Sequence, residues 1–88
     1  MKKTKWYMFV CKFNVDKQNN KEIWKNNNDI NTCNEIIEFF NTRSKGKWKR
    51  IKHVFYFENL NDAMDFKFNY YDNIKYVKFL DKNMEEIE

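Results

Sequence analysis

Between Arg43 and Tyr71 the chain changes its hydrophobic period, and that change restricts the fold more than any other feature. A basic run of Arg43, Lys45, Lys47, Lys49, Arg50 and Lys52 feeds into Trp48 to Phe57, where aromatic and β-branched residues crowd as they do in a strand. Asn59-Leu60-Asn61-Asp62 then reads as a helix start, with Asn59 or Asn61 as cap and Asp62 suited to the positive end of the dipole. Ala63, Phe66 and Tyr70 fall on one face of that helix, Met64 and Phe68 on an adjacent one, and Asp72-Asn73 ends it. A strand running straight into an amphipathic helix makes this a mixed α and β chain.

The flanking segments fit the same scheme. Trp6 to Val15 reads as a strand: Tyr7, Phe9, Cys11, Phe13 and Val15 alternate with Trp6, Met8 and Val10, and apolar residues on both faces place it centrally. Asp16 to Asn31 is polar and reads as a long loop, with room for a short strand or helical turn at Ile23-Trp24. Thr32-Cys33-Asn34-Glu35 has the form of a capping box, and Cys33, Ile36, Ile37 and Phe40 make the apolar stripe of a helix running to about Thr42. Ile74 to Leu80 is the last strand, followed by the acidic tail Glu85, Glu86 and Glu88. The expected order is β-α-β-α-β with room for one more strand, near residues 23–25 or 45–50. It is an α+β, ferredoxin-like sandwich with two helices on one face of an antiparallel sheet. The expected core is Phe9 or its neighbours in the first strand, with Ile36, Ile37, Phe40, Phe55, Phe57, Phe66 and Val77.

Eighty-eight residues make one domain, 1–88, with a small core: a chain of this size buries about 60–65% of its unfolded surface. An aromatic content of 19% compensates, because each ring can bury roughly 150–250 Å². Two distant cysteines, Cys11 and Cys33, form no disulfide scaffold and are expected reduced. The apolar run after the basic N-terminus is interrupted by Lys12, and no stretch approaches a membrane span. The expected location is cytoplasmic, and no membrane partner is expected.

Enzyme signatures are sparse. The single histidine, His53, lies in a strand beside Lys52, Gly46 is the only glycine, and one His with two distant Cys does not make a zinc site. No catalytic residue, metal or cofactor is expected. The candidate binding surface is Lys45, Lys47, Trp48, Lys49, Arg50, Lys52 and Tyr56, with Tyr76 nearby. Phosphates need cations and splayed bases need flat rings, so this cluster suits a polyanion. A formal net charge of +4 permits nucleic acid or an acidic protein equally.

The stretch Arg50 to Met64 resembles the third strand and second helix of an RNA-recognition motif, with a basic-aromatic strand leading into an Asp-Ala helix start, Asp62-Ala63. Met8-Phe9-Val10 matches the first-strand motif. The resemblance implies base stacking on the sheet, but the two stacking positions of the strand motif fall on Lys52 and Val54, and only Phe9 carries over. Phe55-Tyr56-Phe57 with Asp62-Ala63-Met64 and Phe66-Lys67 is also similar to short uncharacterised proteins of tailed bacteriophages. That similarity implies a small non-catalytic protein, in the host cell's cytoplasm, which docks on a host protein to modulate or inhibit it. The alternative is a single-stranded RNA- or DNA-binding module; self-association is open in either case. The open sheet face discriminates: Tyr and Lys there favour nucleic acid, whereas a flat apolar patch or an unpaired edge strand favours protein.

Overall fold

A computed structural model describes residues 5–83 and the backbone of Glu86 and Ile87; the rest of the expected acidic tail, Glu85 and Glu88, lies outside the described residues. Strand β1 (Trp6–Cys11) is central, as its two apolar faces require, and pairs antiparallel with β5 (Val54–Phe57) and β6 (Ile74–Leu80). β4 (Trp48–Ile51) extends the sheet beyond β5, and the two-residue β7 (Glu86–Ile87) lies beyond β6. The five-stranded order is β4-β5-β1-β6-β7. Helix α1 (Asn27–Arg43) precedes β4, and α2 (Leu60–Tyr70) connects β5 to a short 3-10 turn, Tyr71–Asn73, and then β6. The protein is thus a mixed α+β domain with an antiparallel sheet and two helices.

Strand alternation decides which residues meet the helices. Register pairs Phe9 with Phe55 and Val77, and Tyr7 with Phe57 and Phe79, so these side chains share one face. Cys33, Ile36 and Phe40 of α1 and Ala63 and Phe66 of α2 close over it. Phe66 sits 4.9 Å from Phe9 and 5.3 Å from both Phe55 and Phe57, while Phe40 lies 4.6 Å from Phe57. Each of these rings contributes about 1.5–3 kcal/mol relative to exposure. Six of the expected core residues, Phe9, Ile36, Phe40, Phe55, Phe57 and Phe66, are buried; Ile37 and Val77 are half-buried at the margin. Both cysteines are free and buried on this side, and burial, with Cys33 nearby, pushes the Cys11 thiol up to about 12.

Three expectations about elements are corrected. Trp48 to Phe57 is a hairpin rather than one strand: it turns at Lys52-His53, and Lys52 takes a left-handed φ of 56°. The Asp16–Asn31 loop contains a second hairpin, β2 (Val15–Gln18) with β3 (Lys21–Trp24), so the first strand ends at Cys11 and Val15 belongs to the next. Its turn residues Asn19 and Asn20 both have positive φ, 50° and 64°, which asparagine tolerates better than most residues. Helix α1 begins five residues before the expected capping box. Asn26 is its cap, accepting from the Asn28 N–H at 2.8 Å, and Thr32 lies inside the helix, where it caps nothing. Among the described residues no helix is long and apolar enough to cross a membrane.

Candidate functional site

The face of the sheet away from the helices is built by the other half of each strand. One cross-strand row runs Lys49, Tyr56, Met8, Lys78, and the next runs Ile51, Val54, Val10, Tyr76. Trp6 follows Met8 on the same side of β1, opposite Leu80. With strands about 4.8 Å apart, a row of four spans roughly 14 Å. Val10 and Leu80 are buried, but Tyr76 is 45% exposed, and Trp6, Met8, Tyr56 and Lys78 remain partly open.

The lysines and rings of this face are interleaved. The Lys49 ammonium lies 5.1 Å from the Tyr56 ring centre and 5.4 Å from that of Trp6, bridging two strands. Lys78 lies 5.7 Å from the Tyr76 ring. Each contact is worth about 0.5–1 kcal/mol at such exposure, and it holds a cation beside a flat ring. At the margin Glu58 is engaged by Lys5 at 3.3 Å.

The expected site residues do not stay together. Lys49 and Tyr56 reach the open face, and Lys47, just before β4, is exposed, its carbonyl accepting the Glu58 N–H. Trp48 and Arg50 have the opposite parity and turn to the helix side. Trp48 stacks within 25° of parallel on Phe57, at 6.4 Å, so it is a core wall and not a base platform. Arg50 makes a two-pronged ion pair with Glu22 of β3, at 2.9 and 3.0 Å, and also donates to the Lys52 carbonyl at 2.8 Å. It fastens the β2–β3 hairpin to the strained β4–β5 turn and is occupied. The hydrogen bond from Arg50 holds the Glu22 carboxyl below its usual range, and the same bond raises Arg50.

Lys52 sits in that turn, at the end of the sheet, beside His53. Burial, then Lys52 and Lys75, hold His53 below its ordinary value. Lys45 is carried away to the helix layer. Its backbone N–H and that of Gly46 donate to the fully buried Asp62 carboxylate at 3.0 Å, pinning the basic loop over the start of α2. A Cβ at Gly46 would lie 2.8 Å from Asn59 Cβ, which is why glycine stands there. Phe9, the one stacking position implied by the RNA-recognition resemblance, is 3% exposed and belongs to the core.

Trp6, Met8 and Lys78 were not among the expected site residues. Their signal was the second face of the first and last strands, invisible until strand pairing brings those faces beside Tyr56. Among the described residues no cluster of three or more His, Cys, Asp or Glu side chains could hold a metal. Comparisons with protein-family models, with curated proteins and with solved structures found no match to this chain.

Proposed function

We propose that this chain is a small non-catalytic binding domain whose open sheet face takes single-stranded nucleic acid. The observation that carries this reading is the juxtaposition of Trp6, Tyr56 and Tyr76 with Lys49, which lies over two of the three rings. Base–aromatic stacking contributes about 1–3 kcal/mol per base and tolerates any sequence, while an adjacent cation neutralises phosphate. The architecture supports a ferredoxin-like split βαβ: without the β2–β3 hairpin and β7, the elements run β-α-β-β-α-β, and β1 and β5 are the two inner strands. Docking on a host protein is the second reading, favoured by a different surface, the exposed side of α2.

The test is a titration of labelled single-stranded RNA and DNA oligonucleotides at low salt. Tyr56→Ala should weaken binding by about 1–3 kcal/mol. Lys49→Glu should weaken it at least about tenfold and flatten the salt dependence by about 0.7 log units per log unit of salt, the signature of one lost phosphate contact. Absence of binding by the folded wild-type protein removes the proposal.

A further inference from the structure

Helix α2 carries an apolar stripe that nothing in the described chain covers. Leu60, Met64 and Phe68 recur every four residues and Tyr71 follows; their exposures are 53%, 56%, 90% and 71%. Single exposed apolar residues are ordinary, but four large ones along one stripe are not. The helix is held to the core by Ala63 and Phe66, so its attachment does not depend on the stripe. Met64 and Phe68 form a ridge between two hollows. One, of about 420 Å³, is lined by Met64, Lys67, Phe68 and Tyr71. The other, of about 440 Å³, adds Lys45, Asn61 and Asp65. A smaller depression of about 200 Å³ continues past Tyr71 to Lys12 and Val77. Lys12, Lys45 and Lys67 border these hollows, and none has an ion-pair partner among the described residues.

We propose that this face docks an amphipathic helix of a partner protein, one whose apolar stripe is edged by carboxylates. A ridge between grooves is the surface on which a second helix packs, and spacing of four and three matches the anchors of helix-in-groove recognition. Methionine and aromatic side chains adapt to such a partner, and the unpaired lysines set the sign of its edges. A second copy of this chain fits poorly. Antiparallel pairing about a two-fold axis sets each flank against its own like, Lys67 facing Lys67 and Asp65 facing Asp65, between chains of net charge +4. Asp65 and Asp72 line two of the hollows, so a discrete helix can set its carboxylates beside Lys12, Lys45 and Lys67 and clear of both aspartates, whereas a continuous anionic bilayer would press headgroups on them.

The probe is a synthetic amphipathic helix of about five turns, with a leucine stripe edged by glutamate, and a twin edged by lysine. Fluorescence anisotropy should show the glutamate helix binding the full chain at least about tenfold more tightly than the lysine twin. Phe68→Ser and Met64→Ser should each weaken it about tenfold or more, with melting temperature and oligonucleotide binding unchanged. Equal binding of the two peptides, no binding of either, or indifference to both serine variants overturns the proposal. So does a dimer in sedimentation, or adsorption to phosphatidylglycerol vesicles, that is lost with Phe68→Ser, because the face then has another occupant. The surface lies on the helix layer, so failure here leaves the sheet-face proposal standing, and the reverse.

Discussion

The two faces of the five-stranded sheet draw on the same residue types and use them differently. On the helix side Phe55, Phe57 and Trp48 stack on one another and pack tilted against Phe40 and Phe66; the four phenylalanines are sealed from water and Trp48 is half-buried at their edge. On the other side Tyr56, Trp6 and Tyr76 have lysines as neighbours. Chain neighbours are separated by this rule: Lys49 lies over open rings, and Arg50, the next residue, is bound to Glu22 on the covered side. Composition alone cannot distinguish a stacking platform from a core wall. Strand parity does, since consecutive side chains point to opposite faces.

The sharpest way to break this comparison is to delete a ring from each face. Phe57 is fully buried against Phe9, Phe40 and Phe66, and Phe57→Ala should cost about 3–5 kcal/mol in urea unfolding. Tyr56→Ala, one residue away, should cost less than about 1 kcal/mol while weakening oligonucleotide binding. Equal losses of stability would mean that the open face is itself covered.

Arg50 and Lys49 give a smaller contrast. Arg50→Met leaves the Glu22 carboxylate without its partner in a half-buried site and should cost about 1–2 kcal/mol, whereas Lys49→Met should cost less than about 0.5 kcal/mol. The pair also sets an acid limb. Glu22 is held below its ordinary 4.5, so its contribution is complete above that pH and is lost as pH falls through the lower folded value. His53 is likewise held below 6.5, so neutrality favours the fold and acidification through its folded value removes that contribution. Glu22→Gln should therefore shrink the lower of two losses in a pH series of melts, leaving the part due to Asp16, which its hydrogen bond with Lys25 also holds low, and keep the upper one. A wild-type profile flat from pH 7 to about pH 3.5 would show that neither group is coupled to folding.

What could be read from the sequence follows the strength of each local signal. The alternation from Trp6 to Cys11 and the stripe Ile36, Ile37, Phe40 stand out because apolar residues recur at one period. The turn at Lys52-His53 was hidden because it lacks Gly, Pro and Asn; Arg50, donating to the Lys52 carbonyl, holds a conformation that local preference does not announce. The β2–β3 hairpin was hidden for the opposite reason. Asn19-Asn20 is good turn chemistry, but Lys17, Gln18, Lys21 and Glu22 around it look like loop. The hairpin is instead fixed by Phe13 on Trp24 and by Glu22 on Arg50, contacts distant in sequence. Half of the candidate surface was legible, in Lys49, Tyr56 and Tyr76. Trp6, Met8 and Lys78 joined it only through pairing with strands far along the chain.

The smallest expected effect concerns how the covered face acquires its lid. A capping box at Thr32 would start α1 too late; the structure starts it at Asn27, under Asn26. The added turn carries Asp29, whose carboxylate accepts the Asn14 N–H at 2.9 Å and ties the helix start to the chain leaving β1. Asn26→Ala removes the acceptor for the Asn28 N–H and should cost about 1 kcal/mol. Thr32→Ala replaces a β-branched residue in a helix interior by the best helix former, so its unfolding midpoint should stay level or rise by a few tenths of a kcal/mol. The reverse order of the two losses would move the helix start to Thr32. The first turn of α1, and the Asp29 tie, would then be absent from the layer that separates the dry face of the sheet from the open one.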